Sequence, residues 1–252
     1  MPFPLEEIFA YAKNQSEPEP GVLYVVSTPI GNLEDISIRA LRILSKVACI
    51  AAEDTRTTKF LLTHYGITTQ CISYHSHNET KRIPFFLNEL RDQKSIAIVS
   101  DAGTPSISDP AYSFVHQAIE QGIRVVAIPG ASALLAALVS SGQHTHAFLF
   151  EGFLPIKKGR STRIRELANE DRTIVLYESP HRILRTLHEL SDSFGERQVV
   201  IARELTKKFE EIIRGSFPNV IEHLSKHTTK GEFVVIISGK KKQPNVRLDT
   251  EE

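Results

Sequence analysis

Eleven consecutive residues, Ser100–Pro110 (SDAGTPSISDP), combine two carboxylates, short hydroxyl side chains, two prolines and one glycine. A loop of this kind grips a small polar molecule largely through its backbone: Gly103 permits close approach, the prolines stiffen the path and the hydroxyls supply short polar groups. A stiff polar turn without a ligand has the same composition. Two further clusters carry groups capable of chemistry. Glu53-Asp54-Thr55-Arg56-Thr57-Thr58-Lys59 mixes acid and base, either as a helix-capping network or as substrate-handling groups. Ser73-Tyr74-His75-Ser76-His77-Asn78-Glu79 is a second polar run, which solubility alone would also explain. His75-x-His77 and His144-x-His146 lack cysteine partners and any H-E-x-x-H helix, so hydrogen-bonded or solvated histidines are expected there and no metal.

The elements that must position these groups follow from periodicity. Val22–Val26 is a continuous apolar run of strand length, as in a strand buried on both faces, and it enters a stiff turn, Ser27-Thr28-Pro29-Ile30-Gly31-Asn32. Asp35 is the expected N-cap of a helix whose stripe is Ile36, Ala40, Ile43 and Leu44. Strands are expected over 47–52, 71–74, 95–99 and 124–128, and helices over 55–65 (stopped by Gly66), 83–90, 112–120 and around 134–139. Such alternation predicts a largely parallel sheet with helices on both faces. Right-handed crossovers then bring loops 27–32, 100–110 and 129–132 to one sheet edge, where ligands bind in open α/β sheets.

Past Gly142 the pattern is less regular. Strands are expected over 147–150, 173–177, 198–202, 211–215 and 233–237, with no long helix-plus-strand unit between the last two, so this sheet is read as mixed. Ser179 with Pro180 suits a helix start before the stripe Ile183, Leu184, Leu187 and Leu190. The expected organisation is an extension over 1–20 (with a short helix over 4–13), α/β domains over 21–131 and 132–240, and a polar tail over 241–252.

Composition sets outer bounds. The chain has 252 residues, 41% hydrophobic and 24% charged, with 30 basic residues against 30 acidic, so no global field draws it to nucleic acid or to a membrane. The first 150 residues hold 11 Lys and Arg against 14 Asp and Glu, and the remainder 19 against 16, a weak basic bias toward a polyanionic partner. Cys49 and Cys71 lie in apolar runs and read as buried thiols of a reducing compartment. No apolar stretch reaches spanning length and the acidic N-terminus does not resemble a signal peptide, so a cytoplasmic protein is expected. There is no G-x-G-x-x-G after the first strand and no G-x-x-x-x-G-K-[ST]. Gly130-Ala131-Ser132-Ala133-Leu134 is no nucleophile elbow, because its fifth residue is leucine.

Nine ordered motifs then carry a resemblance: S-T-P-I-G-N-L-E-D at 27–35, A-E-D-T-R-x-T at 52–58, S-Y-H-x-H-N-E at 73–79, S-D-A-G-T-P-S-I-S-D-P at 100–110, P-G-A-S-A at 129–133, E-G-F-L-P at 151–155, Y-E-S-P-H-R at 177–182, A-R-E-L-T-K at 202–207 and G-E-F-V at 231–234. Together they resemble the ribosomal RNA small subunit methyltransferase I family, a branch of the tetrapyrrole methylase fold, over about residues 21–238. Ala111 departs from the pattern, where the family usually has glycine, and this removes no chemical group.

The resemblance implies a two-domain tetrapyrrole-methylase-like α/β fold with S-adenosylmethionine folded in the interdomain cleft. It also implies methylation of a cytidine ribose 2′-hydroxyl in the decoding region of 16S rRNA in the small ribosomal subunit, by a homodimer. Methyl transfer from a sulfonium asks the protein for alignment and desolvation, together with a base or a cation for the hydroxyl. Asp54, Lys59 and His75 are the candidates for that chemistry, with Arg56 steering a phosphate and Asn78 on the substrate side. The expected cofactor contacts are Pro29, Gly31, Asp101, Gly103, Thr104, Ile107, Ser132 and Ala133, completed by Leu154 and Ala202 of the second domain. Lys157, Lys158 and Arg160 are candidate RNA contacts, although a solvated charged run reads the same way. A tetrapyrrole methylase of the same fold and a non-catalytic nucleotide-binding assembly factor are the alternatives.

Overall fold

A computed structural model describes residues 17–227 and 229–240; the helix expected over 4–13 and the tail from 241 lie outside the described residues. Two compact units divide between Ala133 and Leu134.

In the first unit, β1 (Leu23–Val26), β2 (Cys49–Ala52), β3 (Cys71–Ser73), β4 (Ile96–Val99) and β5 (Val125–Ile128) form one sheet in the order β3-β2-β4-β1-β5. Every pairing is parallel. The helices are α1 (Ile38–Lys46), α2 (Thr55–His64), α3 (Glu79–Arg91) and α4 (Ala111–Glu120), with α5 (Ala133–Ser141) at the division. The unbroken apolar runs have a simple cause, since each strand alternates between two cores. Tyr24, Val26, Ile50, Ala52, Ala97 and Val99 face Leu41, Leu44 and Leu61 of α1 and α2. Leu23, Cys49, Ala51, Ile96 and Ile98 face Phe86, Leu90 and Phe114 of α3 and α4. Burying such a side chain contributes about 1.5–3 kcal/mol. Burial also pushes the Cys49 thiol up to about 11, while Cys71 is half-buried, and both are free thiols.

The second unit holds β6 (Phe148–Phe153), β7 (Thr173–Glu178), β8 (Gln198–Arg203), β9 (Glu211–Ser216) and β10 (Phe233–Ile237), ordered β6-β7-β10-β8-β9. Only β6 and β7 pair in parallel, so this sheet is mixed as expected. One face packs on α6 (Arg160–Leu167), α7 (Ile183–Phe194) and α8 (Phe217–Lys226) through Ile164, Leu187, Leu190, Phe217 and Val220. Helix α5 is pinned by Leu134 N–H donating to the Tyr177 hydroxyl at 3.1 Å and by Arg214 donating to the Ser140 and Ser141 carbonyls. Among the described residues no helix is long and apolar enough to cross a membrane.

Local chemistry corrected four expectations. Asp35 ends a short 3-10 turn (Leu33–Asp35), and the cap of α1 is Ser37, whose hydroxyl accepts from Ala40 N–H at 3.1 Å. Helix α3 begins at Glu79 and runs through Pro84, which packing of Ile83, Phe86, Leu87 and Leu90 overrides. Ser179-Pro180 opens a turn, in which the Ser179 carbonyl accepts from Arg182 and Ile183, and α7 starts at Ile183. A ten-residue helix, α8, does join β9 to β10, with a proline in its first turn.

Candidate active site

Parallel strands in the order β3-β2-β4-β1-β5 align the loops that follow them along one edge, over about 19 Å at roughly 4.8 Å per strand. Residues 74–78 and 53–54 occupy one end of that edge, and loops 100–110, 27–32 and 129–132 occupy the other. The residues expected to hold a cofactor in this unit thus sit on three neighbouring strands, and those expected to do chemistry on the remaining two.

The three loops are tied together. Thr28 and Gly103 exchange backbone hydrogen bonds of 2.9 and 3.0 Å. Gly103 has φ +80°, left-handed backbone that favours glycine, and a Cβ there would lie 3.3 Å from Ile30 Cγ2. The Ser27 and Thr104 hydroxyls are 2.9 Å apart, and Thr104 Oγ1 donates to the Ala131 carbonyl at 3.2 Å. Gly130 closes the third loop onto the first, since a Cβ there would meet Ser27 Cβ at 2.9 Å. Within 100–110, Ser106 (φ 74°) and Ser108 (φ 68°) are both left-handed. Asp109 Oδ1 holds that path by accepting from Ser106 N–H at 2.9 Å and Ala111 N–H at 2.8 Å. Ile107 stands exposed between the two serines, and Ser106 Oγ is buried with no hydrogen-bond partner. A loop held in sparsely populated conformations with an unused buried hydroxyl has the donor set of a ligand cradle. A small cavity of about 70 Å³ adjoins it, lined in part by Pro29, Leu33, Thr57, Phe60 and Asp101.

Loops after β2 and β4 are also joined. Asp54 N–H donates to Asp101 Oδ1 at 2.9 Å, and Asp101 N–H donates to Glu53 Oε2 at 3.2 Å. Burial, then neighbouring carboxylates, push the half-buried Glu53 carboxyl above its ordinary range, and burial does the same to Asp101. Asp54 goes the other way. Its carboxylate caps α2 and takes bonds of 3.1 Å from Arg56 Nε and 2.6 Å from Nη2, which hold it at about 2. Such a carboxylate stays ionised and is a weak proton acceptor, so its strength lies in orienting Arg56, whose side chain is 90% exposed.

Glu53 yields a pH prediction. With its pKa raised by folding, the folded protein retains a proton that the unfolded chain has already released, so stability falls as pH rises through the folded value. Glu53→Gln keeps an acceptor for Asp101 N–H and removes the charge. It should raise the thermal midpoint at neutral pH, and the gain should vanish below about pH 4. Melts at the two pH values read this directly, and an equal gain at both would refute it.

The other expected residues separate clearly. Lys59 is exposed on α2, one turn beyond Arg56. His75 begins a loop fixed by Asn78: His75 N–H donates to Asn78 Oδ1 at 2.9 Å, while Asn78 Nδ2 donates to the Ser73 carbonyl at 3.2 Å and lies 3.3 Å from His75 Nε2. Asn78 therefore positions His75, whose Nδ1 is buried and unpaired. Ser132 and Ala133 lie at the division, past β5. Leu154 is 2% exposed within the second unit's core, and Ala202 is 1% exposed, mid-ladder between Val234 and Ile212. Lys157 and Lys158 are exposed. Arg160 is a correction, because it is 4% exposed with its guanidinium bonded to Glu189, Thr186 and the Pro155 carbonyl, so it cannot meet RNA. Glu53, Ser106 and Gly130 lie in stretches that the sequence marks out, but it gives none of them an individual role. Glu53 was recoverable as the neighbour of Asp54 at a strand end, but the other two depend on contacts across strands. Among the described residues no group of three or more His, Cys, Asp or Glu side chains could hold a metal ion.

An open parallel α/β sheet with polar loops gathered at its carboxyl edge is a ligand-binding architecture. The pattern of the Tetrapyrrole (Corrin/Porphyrin) Methylases matches residues 22–221. A cobalt precorrin-4 methyltransferase of cobalamin biosynthesis superposes with TM-score 0.65 at 16% identity, covering 86% of this chain and 95% of that one. Uroporphyrin-III C-methyl transferase from Thermus thermophilus, complexed with S-adenyl homocysteine, gives 0.61 at 17%, covering 86% and 96%. At such identities these likenesses establish the fold. Sequence similarity is far higher to proteins called ribosomal RNA small subunit methyltransferase I. That of Haemophilus influenzae is 48% identical over 229 residues (89% of this chain, 81% of the relative). That of Synechocystis sp. is 51% identical over 221 residues (87% and 79%), and that of Thermotoga maritima 47% over 220 residues (87% and 99%). The chain belongs to the ribosomal RNA small subunit methyltransferase I family, within the tetrapyrrole methylases.

Proposed function

We propose that this protein transfers a methyl group from S-adenosylmethionine to the ribose 2′-hydroxyl of a cytidine in the decoding region of small-subunit rRNA. The observation that carries this reading is the division of one sheet edge: loops 27–32, 100–110 and 129–132 form a tied cradle, and Asp54, Arg56 and Lys59 stand beside it on the next strand end. The cofactor is S-adenosylmethionine, which supplies an electrophilic methyl on a sulfonium sulfur. Pro29, Gly31, Asp101, Gly103, Thr104, Ile107, Ser132 and Ala133 would hold it from the first unit. The unpaired Ser106 hydroxyl joins this set. Leu154 and Ala202 would add little beyond shape, because both are buried.

The chain's own part in the chemistry is orientation and proton handling. Asp54 fixes Arg56, whose exposed guanidinium meets a phosphate beside the target ribose. Lys59, on the same helix, stabilises the developing alkoxide, and His75, set by Asn78, is the candidate acceptor of the hydroxyl proton. The proton given up by the hydroxyl on methylation would pass to His75. We take the working form to be a cytoplasmic homodimer with domains over 21–131 and 132–240.

A labelled-methyl assay tests the reading. Purified small ribosomal subunits should take up label on a ribose, recovered as an alkali-resistant dinucleotide containing cytidine. Label appearing only on a precorrin-type substrate would overturn it, as would cofactor binding without transfer to any ribosomal particle. Arg56→Ala should weaken small-subunit binding and lower its salt slope by about one, with cofactor affinity by calorimetry unchanged. Equal loss of both would refute the role given to Arg56.

A further inference from the structure

Beyond buried Ala202, the A-R-E-L-T-K motif at 202–207 has no part in the function proposed above, and the loop it leads into, between β8 and β9, is built in an unusual way. Glu204 (φ 50°) and Thr206 (φ 66°) are left-handed, the latter a β-branched residue for which that conformation is an outlier, and Thr206 Oγ1 is buried without a partner. The surroundings hold this path in place. Lys207 Nζ reaches Glu204 and Glu232, each at 3.0 Å; Thr206 N–H donates to Glu210 at 2.5 Å; Arg203 Nε donates to the Lys230 carbonyl at 2.7 Å. What the strained loop presents is Phe209, 66% exposed, with Lys208 Nζ 5.6 Å from its ring centroid. A rigid exposed aromatic beside a lysine matches the stacking platforms on which unpaired bases rest.

A second ring shares that sheet edge. Strands β6 and β8 run in the same direction, because β6 pairs in parallel with β7 and two antiparallel steps through β10 follow. Their carboxyl ends are three strands apart, about 14 Å. At the end of β6 a bulge between Phe150 and Gly152 resets the alternation, and Phe153 stands 51% exposed, followed by exposed Ile156, Lys157 and Lys158. Among the described residues Lys157, Lys158 and Lys208 make no ion pair, so their charge is available to a phosphate backbone.

We propose that Phe209 and Phe153, with Lys157, Lys158 and Lys208, form a two-point platform that binds unpaired rRNA, one strand lying along this edge and stacking bases on both rings. This rests on the RNA reading above and names the surface that would engage the substrate. Lys207 offsets one of the two charges of Glu204 and Glu232, and Glu210 keeps its charge while accepting from Thr206 N–H, so attraction to the strand falls to Lys157, Lys158 and Lys208 and to the two rings.

The test uses the full chain and a fluorescein-labelled single-stranded RNA of decoding-region sequence, with anisotropy read across a salt series. Phe209→Ala should weaken binding about tenfold, and Phe153→Ala by a comparable factor. Lys208→Ala should lower the salt slope by about 0.7. Thermal midpoint and S-adenosylmethionine affinity should be unchanged in all three. Unchanged RNA affinity in both phenylalanine variants, while the wild type binds, overturns the platform and leaves the RNA reading standing. A change in oligomeric state by light scattering with RNA affinity intact also overturns it, and assigns the face to a second copy of the chain. Wild-type protein that binds neither this RNA nor small subunits overturns the RNA reading and the platform together.

Discussion

Arg160→Ala should cost about 3 kcal/mol of stability, whereas Lys157→Ala and Lys158→Ala should stay within about 0.5 kcal/mol of wild type. All three belong to one basic run, and their environments make the difference. Arg160 donates from Nε to Glu189 at 2.6 Å, from Nη1 to the Pro155 carbonyl at 3.0 Å and from Nη2 to Thr186 Oγ1 at 2.6 Å. Thr186 Oγ1 donates in turn to buried Glu178 at 2.7 Å, and Glu178 pairs with Arg182 at 2.8 Å. Truncation leaves a buried carbonyl and one side of that chain without a donor, which is expensive where water does not reach. The loss falls at the low end for buried pairs because Glu189 is 31% exposed and keeps Arg185 at 2.9 Å. Arg160→Lys retains the charge but not the three-way fork, and should fall between the two. Urea midpoints at constant slope measure the series. An Arg160→Ala variant of full stability and reduced RNA affinity would return Arg160 to the RNA-contacting set.

The same residue shows what the sequence could and could not disclose. Arg160 precedes Ile164 and Leu167 by four and seven positions, which places it on the buried stripe of α6, so its burial was legible in a pattern overshadowed by the charge run. The first sheet was legible for a similar reason: a strand covered on both faces must be apolar throughout, and only parallel sheets do this repeatedly. Loops at its carboxyl edge followed from topology alone. Contacts between those loops did not. The Thr28–Gly103 bridge, the Ser27–Thr104–Ala131 relay and the Asp54–Asp101–Glu53 exchange join residues 27 to 77 positions apart, and no local periodicity encodes such pairings. Asp54 illustrates the consequence. Its residue type suggested a base, yet bonds from Arg56 hold its carboxyl down at about 2, which makes it a weak proton acceptor.

Gly130→Ala should lower S-adenosylmethionine affinity by about 10- to 100-fold with secondary structure retained, the largest effect expected from a single methyl group in this protein. The added carbon would sit 2.9 Å from Ser27 Cβ, closer than real contacts allow, and 3.3 Å from the Ser27 carbonyl oxygen, a tight contact. Neither neighbour can yield cheaply. Ser27 is 3% exposed at the end of β1, its N–H bonds the Ile128 carbonyl at 3.3 Å, and its hydroxyl meets Thr104. Relief must come from the 129–132 loop moving away from 27–32, which also pulls Ala131 from Thr104 and loosens loop 100–110. All three walls of the cradle are displaced by one steric conflict at their shared corner. Calorimetric titration with S-adenosylmethionine, paired with circular dichroism, separates the outcomes. Lost affinity with an intact spectrum supports the cradle, and a destabilised protein that binds normally would show that these loops serve the fold and leave the cofactor to other residues.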